Sequence, residues 1–213
     1  LYNKSDIPGR PESISIHAKS SSDKMGKPKN LKKYNKVLKS LILGCRSLEK
    51  SGCRFIAIPC NTAHYWYNDL KKKIKIPIIN MPKEVFIHTS KVCKKDSKIG
   101  LLATEGTIKT GVYKKFFDKK FKLILPNTTL QTNSVNKAIK FVKMGKIREA
   151  EKAIKQAVKY LMKLKCKKII LGCTELPIAI FAFKSFKKIK LSKVFLDPNL
   201  MLAHVSMKKY LKK

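Results

Sequence analysis

Two of the six cysteines in this 213-residue chain stand where parallel α/β proteins do chemistry. Cys60 closes the apolar run 55–59 and leads into Asn61 and Thr62; Cys173 closes the run 168–171 with Gly172 and leads into Thr174 and Glu175. The segments 51–62 and 163–174 echo one another. Each reads as a helix end, a buried strand and then Cys-(Asn)-Thr, with an earlier cysteine, Cys53 or Cys166, at the start of the strand. In open parallel sheets, ligands bind beyond the carboxyl ends of the strands, where helix N-termini supply free N–H donors and positive dipole. A thiol there is expected to be favoured as thiolate. Two such thiols facing one another suit a two-base racemisation or epimerisation, in which one takes a proton from a carbon and the other returns a proton to the opposite face. Asn61, Thr62, Thr174 and Glu175 would hold the carboxylate and ammonium of the substrate.

Plainer readings apply to the neighbours. Free cysteine is usually a small buried apolar side chain, which is the expectation for Cys45, Cys53, Cys93 and Cys166. His64 is open to two readings, an acid–base or ligand group, or a helix-start histidine that only bonds locally. Glu175 is favoured in a first helical turn by the helix dipole alone. No Cys/His spacing of a zinc motif is present, so no metal is expected. The cysteines form no Cys-x-x-Cys pair and are expected to be reduced.

The elements that must position these groups follow from periodicity. Strand-length apolar runs at 55–59, 76–79, 99–103, 122–125, 168–171 and 193–196 alternate with helical stretches, the signature of βαβ units. The segment 31–50 puts Leu38, Leu41, Ile42 and Cys45 on one face and lysines on the other. The segment 150–165 does the same with Ala153, Ala157, Val158, Leu161 and Leu164. The stretch 19–30, rich in Ser, Lys, Gly and Pro, is expected to be a mobile loop, one that could close over a site.

Composition bounds the function classes. The chain carries 49 Lys+Arg against 13 Asp+Glu, a formal charge of +36, with 44% hydrophobic residues. That excludes an acidic disordered chain and supplies enough apolar material for a core. Only four of the basic residues, Arg10, Arg46, Arg54 and Arg148, are arginine. Planar recognition of phosphates and bases favours Arg, and the lysines are spread along the whole chain, so no specific nucleic-acid partner is expected. Weak, non-specific polyanion binding is. No apolar run approaches the roughly 20 residues that cross a bilayer, and the first residues lack a signal-peptide core. The expected compartment is the cytoplasm, with no membrane partner.

Three motifs together carry a resemblance. Ile58-Pro-Cys-Asn-Thr-Ala-His64, Gly100-Leu-Leu-Ala-Thr-Glu-Gly-Thr107 followed by Gly111 and Tyr113, and Leu171-Gly-Cys-Thr-Glu-Leu-Pro177 resemble the aspartate/glutamate racemase family over nearly the whole chain. The resemblance implies a cofactor-independent isomerase of two similar parallel-sheet α/β domains, its active site in the interdomain cleft, and a homodimer. It implies domain limits of 1–82 completed by 197–213, and 83–196. Cys60 and Cys173 match the catalytic cysteines; Asn61, Thr62, Thr174 and Glu175 match substrate-holding neighbours. Ile7-Pro-Gly-Arg10 is similar to a segment whose arginine, here Arg10, reaches the substrate carboxylate, although Gly9 stands where the family has Asp. Lys143 matches a substrate-binding lysine, and Thr104 and Thr107 are expected in a loop that completes the pocket. Glu175-Leu176-Pro177, where glutamate racemases carry His-Tyr-Pro, favours aspartate as substrate; glutamate or broad specificity is the alternative, and a non-catalytic Lys-rich binding protein is the reading from another class. The family opens with a strand and a Gly-rich loop that do not precede Leu1, and 1–3 resembles the end of a second strand. The chain alone is therefore expected to lack a first βα unit, and to be poorly stable or inactive beside the full-length product.

Overall fold

The computed structural model describes residues 31–182 and 191–211. Arg10, the segment 7–10, the strand end at 1–3 and the expected loop 19–30 lie outside them.

The helix expected over 31–50 is α1 (Leu31–Lys50). Its apolar face, with Val37, Leu38, Leu41, Ile42 and buried Cys45, packs on Ile56, Trp66, Leu70, Ile74 and Ile78. The two runs expected as strands at 55–59 and 76–79 meet at one parallel bridge, Ile56 to Ile78. Ile56 N–H donates to the Pro77 carbonyl and Ile79 N–H to the Ile56 carbonyl, each at 2.8 Å. Pro59 and Pro77 carry no N–H, which limits the ladder either run can build. Between the runs lie a 3-10 turn (Thr62–Trp66) and α2 (Tyr67–Lys73); α3 (Met81–Val92) follows.

The next part of the chain builds a parallel sheet of order β2-β1-β3-β4. Its strands are β1 (Lys98–Ala103), β2 (Lys122–Ile124), β3 (Lys168–Gly172) and β4 (Phe195–Leu196). β1 and β3 are buried along nearly their whole length because helices cover both faces, which is why they read as continuous apolar runs rather than alternating ones. The connections hold α4 (Glu105–Lys109), α5 (Lys114–Phe117), α6 (Thr128–Leu130), a π-helical turn (Gln131–Asn136), α7 (Lys137–Lys143) and α8 (Ile147–Lys163). After β3 come α9 (Leu176–Phe181), α10 (Leu191–Val194) and α11 (Pro198–Leu211). The strand expected over 193–196 is shorter than its pattern, because α10 uses its first half and only Phe195 and Leu196 pair with β3.

On one face, Ala150, Ile154, Ala157, Val158 and Leu161 of α8 lie against Leu102, Ile169 and Leu171. On the other, Val85, Val112, Tyr113, Phe117 and Phe121 lie against Ile99, Leu101, Ala103 and Ile170. Leu161 is fully buried, and its Cδ1 lies where a Cβ on Gly100 would stand, 2.8 Å away. Leu161→Ala is expected to cost about 2–5 kcal/mol of unfolding free energy, read from urea melts as a lower midpoint at unchanged slope. No helix among the described residues is long and apolar enough to cross a membrane.

Candidate functional site

Cys173 is delivered by β3. The strand carries no side chain at Gly172, and none fits: a Cβ there would come 2.9 Å from Leu101 Cδ1 and 3.0 Å from Ala103 Cβ. That close approach sets the carboxyl ends of β1 and β3 side by side. Cys173 is buried, and its Sγ donates to Glu175 Oε2 at 2.8 Å. Thr174 Oγ1 donates to the same oxygen at 2.9 Å. The last turn of α7 brings Lys143 Nζ to 3.7 Å from the other carboxylate oxygen. The sequence expectation of a thiolate here is overturned. Burial first, and the Glu175 carboxylate second, push the Cys173 thiol well above its usual range, and Lys143 offsets only part of this. A carboxylate in hydrogen-bond contact outweighs the partial charge of the short helix α9 because it is closer and carries a full charge.

Cys60 is delivered by the run 55–59 and is half-buried. Its N–H bonds back to the Ile58 carbonyl at 2.8 Å, a tight turn at the strand end. His64, almost fully buried, holds the same turn from beneath. Met81 N–H donates to Nε2 at 3.1 Å, so Nδ1 carries the proton and donates to the Cys60 carbonyl at 2.9 Å. Of the two readings open for His64, the structure favours the local one: the imidazole ties the Cys60 turn to the start of α3. Burial lowers its pKa from 6.5. An unfolded chain thus takes up a proton that the folded one refuses, so His64 costs stability as pH falls below about 6.5. His88 shifts in the same direction. The midpoint of thermal unfolding is expected to fall between pH 7 and pH 5, and His64→Gln to flatten that slope.

Asn61 and Thr62, both buried, link this turn to the end of β1. Thr62 Oγ1 lies 2.7 Å from Thr107 Oγ1 and 3.5 Å from Thr104 Oγ1, and the latter two lie 3.1 Å apart. Thr104 and Thr107 are not in a loop, as the sequence suggested. Thr104 caps α4, accepting from Thr107 N–H at 3.2 Å, and Thr107 lies in the first turn of that helix. Capping of this kind is what Thr at a strand-to-helix junction does best. Tyr113, which the sequence marked only as part of a motif, donates its hydroxyl to Asn61 Oδ1 at 2.5 Å. Burial, with Asp197 and Cys173 nearby, pushes the Tyr113 phenol well up.

The structure thus gathers Thr62, Thr104 and Thr107 into one hydroxyl cluster near Cys60, with Asn61 beside Thr62 in sequence and held by Tyr113, and Thr174, Glu175 and Lys143 into another beside Cys173. A cavity of about 280 Å³ is lined by Thr104, Glu105, Asn136, Ile139, Lys140 and Lys143, so it touches one member of each cluster and neither cysteine. Asn136 Nδ2 donates to Glu105 Oε1 and Gln131 Nε2 to the Ala103 carbonyl, both at 2.9 Å, so the π-helical turn braces the β1 end. Sequence reading missed this brace, since only the unusual turn, invisible in the periodicity, brings Gln131 there. The cysteines are free thiols, Cys45 buried and Cys53, Cys93 and Cys166 partly so. Among the described residues no three His, Cys, Asp or Glu side chains are grouped as metal ligands.

The family profile Asp/Glu/Hydantoin racemase matches residues 5–204. The broad specificity amino-acid racemase RacX of Bacillus subtilis is 28% identical over 143 residues, 67% of this chain and 61% of that protein. The glutamate racemase of Corynebacterium diphtheriae is 28% identical over 143 residues, 65% of this chain and 51% of its own length. The chain therefore matches about half to three-fifths of the length of these relatives. Among solved structures, the aspartate racemase of Picrophilus torridus superposes with a TM-score of 0.68 at 24% identity, covering 81% of this chain and 69% of that one.

Proposed function

This chain belongs to the Asp/Glu/hydantoin racemase family, and from that premise we propose that the protein interconverts L- and D-aspartate, with Cys60 and Cys173 as the two acid–base groups on opposite faces of the substrate. The observation that carries the reading is the Cys173 site: a buried thiol donating to Glu175, with Thr174 and Lys143 on the same carboxylate. A buried thiol that donates to a carboxylate has a route for its proton that a cysteine serving only to pack lacks, which supports an acid–base role.

In one direction, the Cys60 sulfur takes the α-proton, so a C–H bond breaks and an S–H bond forms. The electron pair left on Cα is then protonated by the Cys173 thiol from the other face. Cys173 is left as the thiolate and Cys60 as the thiol, the state from which the reverse reaction starts; between turnovers Glu175 can accept the proton of a resting Cys173 thiol and so reach the same state. The α-hydrogen of an amino-acid carboxylate is a very weak acid, so the site must stabilise developing negative charge. Lys143 and Thr104 line the cavity, and Arg10 is the further cation that the sequence motif offers. The cationic surface steers a dicarboxylate inward. The substrate sits, on this reading, in a cleft between the part of the chain that carries Cys60 and the part that carries Cys173.

Aspartate is preferred because Glu175-Leu176-Pro177 follows the second cysteine where His-Tyr-Pro marks glutamate racemases. The test is a substrate panel. The purified protein is incubated with L-aspartate, L-glutamate and neutral L-amino acids, and the D forms are separated on a chiral column. D-aspartate formed fastest supports the assignment. Faster D-glutamate, or equal rates across neutral amino acids, overturns the aspartate assignment in favour of the activity named for one of the two curated relatives. No D-amino acid at all, with salt-dependent polyanion binding, overturns the racemase reading itself.

A further inference from the structure

We propose that Tyr113 is a positioning residue of this site: its hydroxyl locks the Asn61 side-chain amide in one orientation, with the carbonyl oxygen occupied and the NH2 group presented to the substrate. The proposal rests on the racemase reading and adds to it a residue outside the cysteine motifs.

Three observations carry it. First, Tyr113 Oη donates to Asn61 Oδ1 at 2.5 Å, across 52 residues of sequence, between two buried side chains. Second, Asn61 Nδ2 is buried with no hydrogen-bond partner among the described residues. An amide buried with its oxygen satisfied and its NH2 unsatisfied is costly, unless the missing acceptor arrives with a ligand. Asn61 adjoins Cys60, so an acceptor there is placed beside the reacting carbon. Third, the Tyr113 ring has no freedom to follow a moving amide. Gly111, at φ +65°, turns the chain between α4 and α5, and the ring packs edge-on against Phe117 at 6.1 Å in the core that also holds Val85 and Leu101. A ring fixed this way sets the direction of its hydroxyl. Phe would fill the same space without the bond; the hydroxyl, buried at a desolvation cost, is explained by the amide it holds.

An amide that can turn over offers its oxygen to a carboxylate for part of the time and repels it. Fixing the amide therefore acts on substrate binding more than on proton transfer, which gives the proposal its signature. In Tyr113→Phe, KM for aspartate is expected to rise about tenfold while kcat changes less than about threefold, the pattern of lost uniform binding. On an Asn61→Ala background the same substitution is expected to change KM no further, because its effect passes through Asn61. A purely structural role for Tyr113 would add to the Asn61→Ala defect instead. A second readout needs no substrate. In protein labelled with 15N-asparagine, the two Asn61 amide proton signals are expected to be sharp and distinct in the parent and exchange-broadened in Tyr113→Phe.

Unchanged KM with unchanged amide signals in Tyr113→Phe overturns the proposal, as does full additivity with Asn61→Ala. If the parent turns over none of the amino acids in the panel, the racemase reading fails. The amide signals then decide by themselves whether Tyr113 fixes Asn61.

Discussion

Replacing Cys173 by alanine is expected to abolish net racemisation, lowering turnover by about 10³- to 10⁴-fold, while leaving α-proton exchange with solvent for one enantiomer only. Cys60→Ala is expected to do the same for the other enantiomer. The magnitude follows from what a positioned acid or base contributes, about 10²- to 10⁴-fold, with both needed in every turnover. The asymmetry follows from geometry. Each sulfur reaches one face of Cα, so the remaining one can remove and return a proton only on its own side, and stereochemistry is retained. Proton NMR of L- and D-aspartate in D2O reads both variants: each loses the α-proton signal of one enantiomer and preserves that of the other. Full racemisation by either variant contradicts the assignment. Loss of exchange with both enantiomers in a folded variant contradicts the independence of the two faces.

In Glu175→Gln the Cys173 thiol becomes more acidic and the enzyme slower. Removing the carboxylate removes the negative charge that opposes thiolate formation, the second cause of the raised pKa after burial. The thiolate fraction at neutral pH, read by ultraviolet thiolate absorbance or by the rate of alkylation, is expected to increase. If thiolate population alone governed turnover, the variant would be faster. The structure instead gives Glu175 the thiol proton to accept, at 2.8 Å, so the variant loses the route by which Cys173 is deprotonated. Turnover in the direction that uses Cys173 as base is expected to fall by about 10²-fold, the low end of general-base effects. The opposite kcat should fall less, with KM changing in compensation, because the two enantiomers are equal in energy and kcat/KM must fall by the same factor in both directions. A faster or unchanged Glu175→Gln enzyme would mean that Glu175 only holds Thr174 and Lys143 in place.

Much of the fold was legible because the buried strands announce themselves. Ile99-Gly-Leu-Leu-Ala103 and Lys168-Ile-Ile-Leu-Gly172 are apolar without alternation, as strands covered on both faces must be, and they lie at the centre of the sheet. Helices α1 and α8 were legible from lysines spaced opposite an apolar stripe. Among the described residues, 55–59 and 76–79 pair through a single bridge, and their apolar pattern reports burial against α1 and α2. The sequence reading overstated 193–196 because burial is encoded locally, while pairing depends on what lies alongside.

The site was legible to the same depth. Strand-end placement of Cys60 and Cys173 follows from chain order, and so does the capping chemistry of Thr104. What the sequence could not carry is where side chains turn. Glu175 reads as a helix-start carboxylate facing solvent or substrate, yet it turns back on Cys173 and adds to the burial that raises the thiol's pKa. Tyr113 and Asn61 are 52 residues apart, and no spacing predicts a hydroxyl meeting an amide at that distance. His64 looked equally suited to catalysis and to local bonding until both ring nitrogens were matched with backbone partners.

The central claim is two-base racemisation, and the isotopic fate of the α-hydrogen tests it most directly. L-aspartate is incubated with the purified protein in D2O, and at low conversion the remaining substrate and the D-aspartate formed are separated and analysed for deuterium at Cα. The account predicts D-aspartate that carries deuterium from its first appearance, beside L-aspartate that still holds its protium, because one sulfur removes the proton and the other delivers a different one. D-aspartate that retains the original protium would show that a single group carries the proton across, and would contradict the paired-cysteine account.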